Sequence, residues 1–75
     1  MTIEEFVEKV QDELQDTPAE QITAETNYKE LDEWGSLASL ALISMVDEEY
    51  GKLITGADVR ARNSVKELWE FVESL

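Results

Sequence analysis

Leu37, Leu40, Ala41, Leu42, Ile43, Met45 and Val46 crowd the middle of a chain of only 75 residues. Their spacing is helical, yet they cannot share one narrow stripe. The helix that carries them is apolar almost all round, so part of its surface is expected to face something other than the core. Gly51 stands where a C-terminal stop belongs. The pattern predicts a helix from Ser36 or Leu37 to Tyr50, and no strand-like alternation of any length occurs elsewhere.

The flanking segments supply its neighbours. Thr2-Ile3-Glu4-Glu5 fits a capping box, and Ile3, Phe6, Val7, Val10 and Leu14 keep a helical period. They predict a first helix from Ile3 to about Gln15, with Asp16-Thr17-Pro18 as its breaker. Thr55-Gly56-Ala57-Asp58 is a second, weaker box that opens a short helix through about Arg62. Ser64-Val65-Lys66-Glu67 is a third, and Val65, Leu68, Trp69, Val72 and Leu75 form the stripe of a last helix. Thr17 to Gly35 makes a long connection, which is uncommon in a small domain unless pinned or functional. Ile22, Tyr28, Leu31 and Trp34 are the expected pins, with a short helical turn over Pro18 to Ile22. The expected fold is all-α: a small four-helix bundle of three main helices and one short helix, in a single domain over residues 1–75.

Size and composition narrow the functions. A chain this short buries only about 60% of its unfolded surface, which leaves no room for a deep enclosed active site. The net charge is −12, from 18 acidic and 6 basic residues. That balance argues against nucleic acid and anionic membranes and favours basic protein surfaces. Cysteine and histidine are absent. The chain therefore lacks its own thiol, the commonest general base and the commonest transition-metal ligand, and neither an enzyme nor a metal site is expected. Asp47-Glu48-Glu49-Tyr50-Gly51-Lys52 lacks the spaced ligands of a calcium loop. No stretch approaches membrane-spanning length, so no membrane insertion is expected. The acidic start lacks a signal-peptide pattern, which makes the cytoplasm the expected address.

One position hints at covalent chemistry. Ser36 falls where the loop Glu30-Leu31-Asp32-Glu33-Trp34-Gly35 turns into the central helix. The first backbone N–H groups of a helix are unpaired and its dipole is positive there. An anion attached to the Ser36 oxygen, such as a phosphodiester, is favoured. The plain alternative is an N-cap, in which the hydroxyl only accepts a backbone N–H. Gly35 reads either as a permissive loop residue or as a functional change, and Trp34 reads as a core pin. Asp47, Glu48 and Glu49 sit at a helix end that prefers cations. A local cost without a packing reason points to a partner-binding role.

The order of helix, long loop, Ser-Leu at the head of an apolar helix, acidic helix end, short helix and final helix resembles the acyl carrier proteins. The resemblance covers nearly the whole chain. It centres on Gly35-Ser36-Leu37, followed by Leu40, Leu42-Ile43, Val46-Asp47-Glu48-Glu49-Tyr50-Gly51 and Ile54. In that family the serine of an Asp-Ser-Leu motif carries 4′-phosphopantetheine as a phosphodiester. The resemblance implies that Ser36 is the attachment site. It implies a covalent 4′-phosphopantetheine cofactor, derived from coenzyme A, whose thiol holds acyl groups as thioesters. It also implies that Leu37, Leu40 and Ile54 flank the arm as a pocket mouth or contact patch, with Gly35, Asp47 and Glu48 in the contact region.

The implied role is a monomeric carrier of acyl intermediates in a fatty acid, polyketide or other specialised acyl pathway. Its implied partners are a phosphopantetheinyl transferase and an acyl ligase, ketosynthase or acyltransferase with a basic docking surface. Two departures from the family pattern stand out. Gly35 replaces the aspartate that, in the family, helps hold the metal ion during transfer of the arm. Ala38 and Ala41 stand where many fatty-acid carriers are acidic, which makes recognition there less electrostatic. The alternative reading is an unmodified, carrier-like interaction module that docks through its central helix.

Overall fold

A computed structural model describes residues 1–75 and contains four α-helices and no strand. The first, α1 (Ile3–Glu13), begins with a closed capping box. Thr2 Oγ1 accepts the Glu5 N–H at 3.2 Å, and the Glu5 carboxylate accepts the Thr2 N–H at 2.8 Å. These bonds to Thr2 hold the Glu5 carboxyl below its ordinary pKa, because they favour its charged form. The helix stops at Glu13 rather than at about Gln15, because Leu14 leaves helical geometry while its side chain stays sealed in the core.

The central helix α2 (Ser36–Tyr50) ends as its sequence demands. Gly51 adopts the left-handed conformation at φ 65°, and its N–H returns to the Asp47 carbonyl at 2.8 Å. The short α3 (Gly56–Arg60) starts on a second closed box between Thr55 and Asp58, with bonds of 3.1 and 2.9 Å. It ends at Arg60, short of the expected Arg62, where Ala61 and Arg62 close a final turn. The last helix, α4 (Val65–Glu73), has Ser64 as its cap, and Ser64 Oγ accepts the Glu67 N–H at 3.1 Å. Its box is only half closed, since the Glu67 carboxylate accepts from Asn63 N–H and not from Ser64. Leu75 falls beyond the helix and is half exposed, so it leaves the stripe that its spacing suggested.

One core holds the helices together. Phe6 and Val10 of α1, Leu42 and Val46 of α2, Val59 of α3, and Val65, Leu68 and Val72 of α4 are sealed from solvent. α1 packs on α2 and α4, and α2 also packs on α3. The radius of gyration is 10.8 Å, close to the ~11 Å expected of a single packed domain of this length. No helix is long and apolar enough to cross a membrane. At the far end of α2, Tyr50 packs on Phe6 with ring centroids 6.3 Å apart. Its hydroxyl is buried without a hydrogen-bond partner, and burial first, then the nearby Glu73 carboxylate, raises its pKa.

The long connection between α1 and α2 is pinned throughout. It holds two single 3₁₀ turns, Ala19–Gln21 as expected and Tyr28–Glu30, which the sequence pattern did not reveal. Ile22 and Tyr28 are buried in the core, and Leu31 and Trp34 pack against it. The Gln11 amide of α1 donates to the Ala19 and Ile22 carbonyls at 3.1 and 2.9 Å, and the buried Thr17 hydroxyl donates to Glu33. The Tyr28 hydroxyl donates to the Val59 carbonyl at 2.5 Å, tying the connection to α3. Burial pushes this phenol up to about 12, with Arg62 opposing and Glu67 adding to the shift. These ties fix the path of the chain into Gly35 and so set where α2 begins.

Candidate functional site

The head of α2 is built by the last residues of the connection. Trp34 N–H bonds the Leu31 carbonyl at 3.0 Å, and its indole lies against Tyr28 with ring centroids 5.0 Å apart. Trp34 is thus a pin, half-buried against the core. Gly35 follows in extended backbone (φ 173°, ψ −168°) and is the N-cap of α2. Its carbonyl accepts the first helical bond, from Ser39 N–H at 3.0 Å. Gly35 has no side chain to cap the helix, so the N–H groups of Ser36, Leu37 and Ala38 meet neither a helical carbonyl nor a capping oxygen.

This geometry removes the N-cap reading of Ser36. Ser36 is the first residue inside α2, not its cap. Its side chain is exposed, and its hydroxyl takes part in no hydrogen bond. The hydroxyl is free and lies beside open backbone donors, at the positive end of the longest helix in the molecule. The geometry of Gly35 also bears on its identity. Extended backbone of this kind suits any residue, and a Cβ added there would meet nothing within 4 Å. Neither conformation nor space demands glycine at this position.

Ser36 borders a groove of about 510 Å³ between α2 and α3. One wall is Trp34, Gly35, Ser36, Ser39, Leu40 and Ile43, and the other is Gly56 and Arg60. The groove is open and of mixed character, with two hydroxyls and a guanidinium among its apolar walls.

The remaining sequence-derived positions separate into groups. Leu40 joins Ser36 in the groove and is 56% exposed, whereas Leu37 is 84% exposed and is not part of its lining. Asp47, Glu48 and Glu49 are exposed at the other end of α2, where Glu49 pairs with Lys9 of α1 at 3.5 Å. Ile54 lies in the core at 5% exposure and offers no side-chain surface to a partner. Its neighbour Leu53 is the exposed member of the pair, at 82%. Sequence reasoning passed over Leu53 because an adjacent Leu-Ile pair gives no sign of which member turns inward. It also passed over Arg60, which reaches the groove only through the packing of α3 on α2. Comparison of the chain with protein-family models, curated proteins and solved structures returned no match, so the reading of this site rests on its geometry and chemistry.

Proposed function

We propose that this chain is an acyl carrier protein, with the small four-helix bundle of that family and its prosthetic arm on Ser36. The observation that carries the reading is the free Ser36 hydroxyl, exposed at the first position of α2 and relieved of any capping duty by Gly35. The residues around it suit a phosphodiester-linked 4′-phosphopantetheine. Ser36 supplies the ester oxygen, and the open amides of Ser36, Leu37 and Ala38 with the helix dipole favour the negative charge, by roughly 0.3–1 kcal/mol on an exposed surface. When bound, the arm supplies the thiol that the chain lacks, and with it thioester chemistry.

The protein's own part is presentation. A pinned connection and a rigid α2 hold the anchor in one place, so the arm's reach is set by its own length. Tethering then raises the effective concentration of cargo at each enzyme the carrier visits. Leu37, Leu40 and Leu53 provide exposed apolar contacts, and Asp47, Glu48 and Glu49 provide negative charge for a basic docking surface on a transferase, ligase, ketosynthase or acyltransferase. Charge complementarity of this kind gives fast, salt-sensitive encounters that still release.

Gly35 supports a second reading. The family's aspartate is missing at a position that has room for it, as it would be in a carrier-like module that docks through α2 and is never modified. Intact mass separates the two. The protein is incubated with coenzyme A, magnesium and a broad-specificity phosphopantetheinyl transferase, beside Ser36→Ala and Gly35→Asp. The expected result is a gain of one phosphopantetheine that Ser36→Ala abolishes. Gain in Gly35→Asp alone would replace the carrier reading with the interaction module.

A further inference from the structure

A phosphate ester on Ser36 would enter the surface of a protein whose net charge is already −12. It calls for a cation, and the fold engages most of the six it has. Lys9 pairs with Glu49. The Lys29 ammonium donates to the Arg60 carbonyl at 2.7 Å and to Asn63 at 3.1 Å. Lys52 donates to the Leu75 carbonyl, and the Arg62 guanidinium lies 3.8 Å over the centre of the Phe71 ring. The charged groups of Arg60 and Lys66 alone make no side-chain hydrogen bond or ion pair. Of these two, only Arg60 borders the groove that Ser36 borders.

Gly56 is the reason it does. Residue 60 follows residue 56 by one helical turn, and helical side chains lean toward the N-terminus. The Arg60 Nη1 comes to rest only 3.1 Å from where a Cβ on residue 56 would stand. A bare backbone at Gly56 lets the guanidinium fold back over the start of α3 and into the groove. The planar fork of arginine suits phosphate oxygens, which it engages through two parallel bonds.

We infer that Arg60 is the counter-ion of a phosphate ester carried on Ser36, and that Gly56 seats it there. The inference rests on Ser36 as the attachment site and adds a positioning residue from a second helix. Arg60 opposes the repulsion that the acidic surface exerts on the ester, and it does so from the lining of the groove that Ser36 also borders. The open amides of α2 act on the same charge, so two elements share the task.

The chain is short enough to be synthesised with phosphoserine at position 36, whose phosphate is then titrated by phosphorus NMR. The second phosphate pKa, ordinarily about 6, is expected to lie lower in the native background than in Arg60→Gln, by about half a unit or more. Gly56→Ala, which crowds the guanidinium, is expected to fall between the two. Arg60→Lys keeps the charge and is expected to restore part of the difference. Lys66→Gln removes the same charge elsewhere and is expected to leave the native value. Equal pKa values in native and Arg60→Gln chains overturn the inference, and so does an equal shift in Lys66→Gln, which would reduce the effect to net charge. The two readings fail separately. A chain that the transferase loads but that shows no Arg60 effect retires Arg60 alone. A chain that shows the effect but is never loaded supports the Arg60 pairing and retires the carrier.

Discussion

α4 and α2 begin in opposite ways. At the head of α4 every early donor is met: Val65 N–H bonds the Thr26 carbonyl at 3.0 Å, Lys66 N–H bonds the Ala24 carbonyl at 2.8 Å, and Ser64 Oγ takes Glu67 N–H. At the head of α2 the cap is a glycine, the first donors are open, and the adjacent serine hydroxyl is free. Their sides differ in the same sense. α4 turns Val65, Leu68 and Val72 inward and leaves Lys66, Glu67 and Glu70 in water. α2 buries Ala38, Leu42, Met45 and Val46 but still exposes Leu37 and Leu40. A helix with every donor and apolar face used is structural. One that keeps a free hydroxyl, open donors and surplus apolar surface has capacity left for binding.

Mutations in the two helices separate structural from surplus apolar surface. Leu68→Ala in α4 and Leu42→Ala in α2 are each expected to cost about 3 kcal/mol in denaturant unfolding, because both side chains are sealed in the core. Leu37→Ala is expected to stay within about 0.5 kcal/mol of the native stability. A large loss at Leu37 would mean that the outer face of α2 is structural after all.

Tyr28 tests the tie between the connection and α3. Tyr28→Phe is expected to cost about 1–2 kcal/mol near neutral pH, since the buried Val59 carbonyl loses its donor. Its pH dependence has a definite sign. The folded state raises this phenol from 10 to about 12, so its neutral form is favoured by folding. The stabilisation is fully present below the unfolded value and is lost as pH rises through the folded one. Chemical denaturation between pH 10 and 12 is expected to show a shallower loss in Tyr28→Phe than in the native chain. Tyr50, also raised by burial, keeps part of the alkaline slope in both.

The two helix starts give the smallest effects and the sharpest contrast. Ser64→Ala is expected to cost about 1 kcal/mol, because it strips a working cap from α4. Gly35→Asp is expected to add a few tenths of a kcal/mol by giving α2 a side-chain cap in open space. Thermal melts of the two variants should therefore move in opposite directions. A destabilised Gly35→Asp would show that glycine is required there for folding.

Much of the fold was legible because it is local. The boxes at Thr2 and Thr55, the cap at Ser64 and the stop at Gly51 each depend on residues within one helical turn. The stripes of α1 and α4 follow from the helical period in the same way. Helix ends were less legible: Leu14 leaves α1 while its side chain still fills the core, a compromise only packing can impose. The 3₁₀ turn at Tyr28–Glu30 has one local sign, the Asn27 side chain that accepts the Lys29 N–H at 3.1 Å, and its Tyr28 is held by the distant Val59.

The order of residues was enough for the helical class, the starts of α1, α3 and α4 and the pins of the long connection, and it narrowed the start of α2 to Ser36 or Leu37. Tertiary structure alone decided that Ile54 turns inward while Leu53 turns out, that the Ser36 hydroxyl is left without a structural partner, and that Arg60 shares a groove with it. The first set rests on hydrogen bonds and periodicity that span a few residues. The second depends on how α3 lies against α2, a long-range packing relation that the order of residues along a chain does not express.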